Sequence, residues 1–197
     1  MALLIPGSAR SDPLLRHRGS AVRCAVVALC CSVLLAAGRD ADEPSEYQVK
    51  AAFIYNFVKF VVWPAQTFKS PGDPLMICIV GNDPFNGALE EAVRGKSIDG
   101  HPLVVRVAAK IDSTCECQIL FVSRAGVKRP QSVAAMFGSG VLIIGESPGF
   151  ASKGGVINFK LQDGRVRFEI NPEAAEREQL RISSKLLSLA EIVKSAP

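Results

Sequence analysis

The chain has 197 residues, a formal charge of +4, six cysteines and 48% hydrophobic residues. At that length one domain is expected, with or without a removable segment, and a core of ordinary size forms without help from disulfides. Charged residues at 21% beside that apolar content exclude a chain disordered throughout, and the presence of only two histidines, His17 and His101, argues against a His-rich metal centre.

Arg16, Arg18 and Arg23 precede an apolar run from Cys24 to Ala37, which is followed by Gly38 and the charged stretch Arg39, Asp40, Asp42, Glu43. A basic flank, a short apolar run and small residues at its exit predict a secretory signal peptide over residues 1–38. The run of 14 residues falls short of the roughly 20 that a membrane-spanning helix needs; an uncleaved anchor is the alternative. Bulky Leu29 argues against a lipid-modified Cys30 or Cys31. Cleavage after Gly38 leaves 19 basic and 18 acidic side chains, a formal +1, which offers no footprint for nucleic acid. It also leaves three cysteines, Cys78, Cys115 and Cys117, in an oxidising compartment, where one disulfide and one leftover thiol is the simplest count.

Ser45 and Gln48 form a capping-box pattern that predicts a helix through about Val62, ending before Trp63-Pro64. Gln48, Ala52, Asn56 and Lys59 fall on one narrow face, and the apolar remainder requires burial on more than one side, against a sheet and a second subunit. Leu75–Gly81 reads as a buried strand, and Asp83-Pro84 as the start of a helix to about Arg94. Leu103–Ala108, Cys117–Ser123 and Val141–Gly145 are further strands, with a short helix over Pro130–Phe137 between the last two. Val156–Leu161 and Arg165–Ile170 alternate with period two around Asp163-Gly164, a hairpin. Asn171-Pro172 opens a short helix, and Ser184 opens a last one carrying Leu186, Leu187, Ala190 and Val193. Together these elements predict an α/β domain over residues 45–194: a Rossmann-like, mostly parallel sheet with helices on both faces and a C-terminal antiparallel β-hairpin.

No catalytic set emerges. The first strand-to-helix turn, Gly81 to Gly87, lacks the phosphate-binding glycine pattern, and Asp83 would repel a phosphate there. His101 precedes Pro102 in a turn, and no nucleophile elbow accompanies it. Cys115-Glu116-Cys117 has the wrong spacing for a redox or zinc pair. Accordingly no catalytic residue, metal or cofactor is expected. Arg165, Arg167 and Arg181 belong either to solvated surface or to an anion site; on the second reading Arg181, Ser183 and Arg167 would hold a small anionic or nucleotide ligand, helped by backbone donors at the Ser183-Ser184 helix start.

Five stretches occur in the order found in one known family: Tyr47-Gln-Val-Lys-Ala-Ala-Phe-Ile-Tyr-Asn-Phe-Val-Lys-Phe-Val-Val-Trp-Pro64, Cys78-Ile-Val-Gly-Asn-Asp-Pro-Phe85, Cys117-Gln-Ile-Leu-Phe-Val-Ser123, Gly154 to Phe159 with Gly164 to Asn171, and Leu180-Arg-Ile-Ser-Ser-Lys-Leu-Leu187. The chain resembles the YfiR family over roughly residues 45–193. The resemblance implies a periplasmic, dimeric, non-enzymatic protein that represses an inner-membrane diguanylate cyclase by binding its periplasmic sensor domain, lowering cyclic-di-GMP and biofilm formation. It also implies a Cys78–Cys117 disulfide. The family's second, later bridge has no counterpart, because no cysteine follows Cys117; Cys115 is extra. A ligand-binding sensor of the same fold, feeding another signalling partner, is the alternative function.

Overall fold

Ser45 accepts from the Gln48 amide while the Gln48 side chain accepts from the Ser45 amide, closing the expected capping box at the head of helix α1, Glu46–Val58. This computed structural model describes residues 44–108, 116–124 and 140–196; the signal-peptide segment, the helix expected over Pro130–Phe137 and Cys115 lie outside them. The face of α1 left to solvent is Gln48, Ala52, Asn56 and Lys59, as the pattern requires. Its buried side carries Ala51, Ile54, Phe57 and Val58.

The strands are β1 (Val61–Val62), β2 (Leu75–Val80), β3 (Ser97–Ile98), β4 (His101–Ala108), β5 (Ile119–Val122), β6 (Leu142–Gly145), β7 (Ile157–Gln162), β8 (Arg165–Ile170), β9 (Arg181–Ile182) and β10 (Glu191–Ile192). Among the described residues the further helices are α2 (Ala88–Val93), α3 (Pro172–Arg177) and α4 (Ser184–Leu187), with a single 3-10 turn at Ala65–Thr67. Eight strands make one sheet in the order β10-β8-β7-β6-β5-β2-β4-β3. The run β4-β2-β5-β6-β7 is parallel throughout; the β7–β8 hairpin and the short β3–β4 pairing are antiparallel. The predicted α/β class with a mostly parallel sheet is therefore correct. β2, β5 and β6 are almost wholly buried, which is why they read as unbroken apolar runs rather than alternating ones.

One face of the sheet packs on α1. Phe57 is fully buried, with ring centroids 5.7 Å from Phe159 and 5.0 Å from Phe168, and Phe53 joins them at 5.4 Å from Phe168. These pairs pin the helix to the hairpin. On the other face Val80, Leu120, Val122, Val141 and Ile143 gather around Phe150. Phe150 fits because Gly145 and Gly155 lack side chains: a Cβ at either would stand within 2.5 Å of its ring. The hairpin closes through Asp163 and Gly164, both at positive φ (51° and 70°), the two-residue turn that matches strand twist.

Four expectations need correction. First, α1 stops at Val58, not Val62, because Val61 and Val62 leave the helix to pair antiparallel with Ile182 and Arg181. Second, Asp83-Pro84 does not start a helix. The Asp83 carboxylate accepts from the Phe85 amide at 2.8 Å in a local turn, and α2 begins only after Gly87, which takes a left-handed φ of 86°. Third, the cap of α4 is Ser183, whose hydroxyl accepts from the Leu186 amide, and α4 ends at Leu187, so Ala190 and Val193 are not on it. Fourth, β5 begins at Ile119 rather than Cys117.

Truncating Phe57 removes the shared member of the aromatic cluster. Phe57→Ala should destabilise the domain by about 3–5 kcal/mol, read as a lowered urea midpoint with little change in slope.

Candidate functional site

The strand order places a topological switch between β2 and β5: the chain leaves β2 for β4 on one side, then crosses to β5 on the other. In doubly wound sheets the crevice at the carboxyl ends of such strands is where ligands bind. Beside it, at the carboxyl ends of β5 and β6, the described residues gather a cluster of buried charges. Glu146 follows β6 directly, and its carboxylate accepts from Lys50 Nζ at 2.6 Å, from the Tyr47 hydroxyl at 3.3 Å to each oxygen, and from the Arg124 main-chain amide at 3.1 Å. Lys50 also pairs with Glu46 one turn earlier on α1. Lys50 is 2% and Glu146 4% exposed. Phe85 seals the cluster edge-on against Tyr47, 5.5 Å away, and Phe121, 4.8 Å away. Beside it the Ser123 hydroxyl donates to the Val80 carbonyl at 3.3 Å.

This arrangement holds the protons of Lys50 and Tyr47. Burial by itself would lower the Lys50 pKa, but the hydrogen bonds to Glu146 and Glu46 outweigh it and hold the ammonium above its ordinary range. Burial, then the Glu146 charge, raises the Tyr47 hydroxyl. The Arg124 amide, a donor that an anionic ligand at the switch would use, is engaged by Glu146. Sequence reasoning missed this cluster. Lys50 stood out only as a charge on an apolar helix, and its partner is 96 residues away.

The three residues expected to hold an anion are not gathered in one place. Arg167 is exposed on β8 and lines a groove beside the hairpin with Lys160, Arg165 and Glu191. Arg181 is exposed on β9 and lines a different cavity of about 330 Å³ with Ala175, Leu180, Ile182 and Leu187. The Ser183 hydroxyl is engaged in capping α4, and its amide donates to the Phe60 carbonyl at 2.9 Å. Arg181 and Ser183 are thus neighbours, with Arg167 apart from them.

His101 is the first residue of β4 rather than a bare turn residue. Its Nδ1 donates to the Asp73 carbonyl at 2.7 Å, and its ring stacks on Phe68 at 3.7 Å. Among the described residues no group of three or more His, Cys, Asp or Glu side chains could hold a metal ion. Cys78, on β2, and Cys117, just before the neighbouring β5, are both buried in the cluster around Phe150. Cys78 stands opposite Leu120, so a regular strand would turn Cys117 to the other face; the irregular backbone before Ile119 keeps it on the same one.

The described residues thus define a doubly wound α/β domain with a buried ion pair beside its switch point. The family comparison makes this specific: residues 47–191 match the model of the YfiR/HmsC-like family, and the chain belongs to that family. Its members are regulators of the periplasm rather than enzymes. No curated protein matches. Among solved structures, one from Vibrio cholerae O1 biovar El Tor, described as a conserved domain protein, aligns with a TM-score of 0.48 at 13% identity, covering 77% of this chain. The chain spans only 60% of that structure's length. Among the described residues no helix is long and apolar enough to cross a membrane.

Removing one member of the buried pair strands the other. Lys50→Met should cost about 3–5 kcal/mol, and adding Glu146→Leu should recover much of the loss, measured by chemical denaturation. The raised Lys50 and Tyr47 pKa values mean that the folded state holds both protons more tightly than the unfolded chain does. Their contribution is complete below about pH 10 and disappears as pH rises through the raised folded-state values. The unfolding midpoint of the wild type should therefore fall more steeply above pH 10 than that of the doubly apolar variant.

Proposed function

We propose that this protein is exported to the periplasm by residues 1–38 and there binds the sensor domain of an inner-membrane diguanylate cyclase, holding cyclic-di-GMP and biofilm formation down. The observation that carries the reading is the family match across 47–191, nearly the whole folded domain. The buried Lys50–Glu146 pair supports it, because these charges beside the switch point are engaged in holding the fold together. The working form is a homodimer, in keeping with the large apolar share of α1. Cys78 and Cys117 form a disulfide; their neighbouring strands and shared buried cluster support the pairing. Such a bridge closes a 39-residue loop and contributes about 2–4 kcal/mol if unstrained. No cysteine follows Cys117, so the family's second, later bridge has no counterpart here.

A second reading has its own support. Arg181 stands with Glu176 at a cavity whose other walls are apolar, Pro172, Ala175, Leu180, Ile182 and Leu187, which suits a small amphipathic ligand carrying an anionic group for Arg181. A screen of nucleotides and amino acids by thermal shift separates this sensor role from pure protein binding, since a ligand of the folded state raises its apparent stability.

Deleting the gene in its host should raise cyclic-di-GMP severalfold, measured by mass spectrometry of extracts; an unchanged level would defeat the repressor reading. The mature protein should begin at Arg39 and show one free thiol when denatured without reductant and three after reduction. Three in both conditions would exclude the bridge.

A further inference from the structure

Among the described residues, the hairpin leaves one stretch of sheet edge without a neighbouring strand. On its inner side β8 pairs with β7 along its whole length, from Arg165 opposite Gln162 to Ile170 opposite Ile157. On its outer side β10 joins only at Glu169 and Ile170. The chain entering β10 stands away from the rest of β8 and leaves a groove of about 500 Å³ between Leu189-Ala190 and Arg165–Phe168. In a two-residue hairpin the residues flanking the turn bond each other, and every second residue turns its main-chain groups outward. Arg165, Arg167 and Glu169 therefore bond inward to β7, while Val166, Phe168 and Ile170 point outward. The Val193 amide on the Ile170 carbonyl, 2.9 Å away, fixes that phase. Val166 thus presents an N–H and a C=O to an edge beside which no strand lies among the described residues. An open edge of this kind accepts an added strand.

The side chains around it select the strand. Arg165 and Arg167 are exposed on one face, two residues and so roughly 7 Å apart. Lys160, opposite Arg167, is held by Glu169 at 3.4 Å and by Glu191. Neither arginine has a carboxylate within ion-pair distance among the described residues; Asp163, at the turn, is the groove's remaining acid. Leu161, 54% exposed, and Leu189, 69% exposed, flank the edge with apolar surface. A second copy of β8 fits poorly, because antiparallel self-pairing about this stretch sets arginine against arginine, and like charges directly opposite are destabilising.

We propose that the open edge of β8 is the docking site for an extended acidic segment of a partner protein. Two carboxylates two residues apart meet Arg165 and Arg167, and the apolar residue between them faces Leu161 and Val166. The inference rests on the reading that this protein works by binding another, and gives that contact a location.

The test uses the purified exported protein, labelled with ¹⁵N, and a blocked peptide Thr-Val-Asp-Val-Asp-Val-Thr. Amide shifts at Val166, Phe168 and Leu189 are expected, with none from the same peptide carrying Lys in place of Asp. Arg165→Glu with Arg167→Glu should weaken binding at least tenfold. Val166→Pro should abolish it while the domain stays folded, since proline is tolerated where a strand's N–H faces outward, with a thermal midpoint lowered only by the lost packing of the Val166 side chain. Absence of shifts at this edge, or equal binding by the double charge variant, overturns the proposal. A dimer that Val166→Pro converts to monomer in sedimentation also overturns it, by making the occupant a second copy. In the host, the double charge variant should leave cyclic-di-GMP at the level of the deletion strain. If deletion raises it and the variant restores repression fully, the edge is not the docking site. If deletion changes nothing, the repressor reading fails while the peptide result still decides the edge.

Discussion

The buried pair of Lys50 and Glu146 is the constraint on which the rest of the molecule depends. It joins the first turns of α1 to the carboxyl end of β6 across 96 residues, with both charges out of water. Such a pair persists only where further hydrogen bonds complete it, and Tyr47, Glu46 and the Arg124 amide do so. With its head fixed there and its middle held by Phe53 and Phe57 on the hairpin rings, α1 has one permitted position on the sheet. The same ions lie beside the switch point, so one arrangement ties the first helix to the carboxyl ends of β5 and β6.

How much of this could be read from the sequence follows from how local each determinant is. The capping box at Ser45, the solvent face Gln48-Ala52-Asn56-Lys59 and the Asp163-Gly164 hairpin are written within a few residues, and they are found where the pattern puts them. The end of α1 is not local. Val61 and Val62 continue a helical apolar pattern but are drawn out by pairing with Arg181 and Ile182, 120 residues later. Asp83-Pro84 has the chemistry of a helix cap and equally that of a tight turn, and Phe85's burial between Tyr47 and Phe121 selects the turn. Ser183 and Ser184 were one residue apart in claim to the same cap, which only the β1–β9 register decides.

The candidate site shows the same division. Arg167 and Arg181 were legible as surface cations, but nothing in the sequence says that they line separate grooves. Lys50 lies within an apolar helix and Glu146 just after a strand, 96 residues apart, so their partnership is a property of the fold. Cys78 and Cys117 stand between these cases. Each falls on or beside a strand that the sequence locates, and the sheet order makes those strands neighbours.

The central claim is that this chain acts by binding and restraining a membrane-bound cyclase, not by a reaction of its own. The most direct measurement is the diguanylate cyclase activity of host membranes before and after addition of the purified, oxidised mature protein. The account predicts a saturable fall in cyclic-di-GMP synthesis. Unchanged activity at saturating protein, in membranes that contain the cyclase, would contradict it.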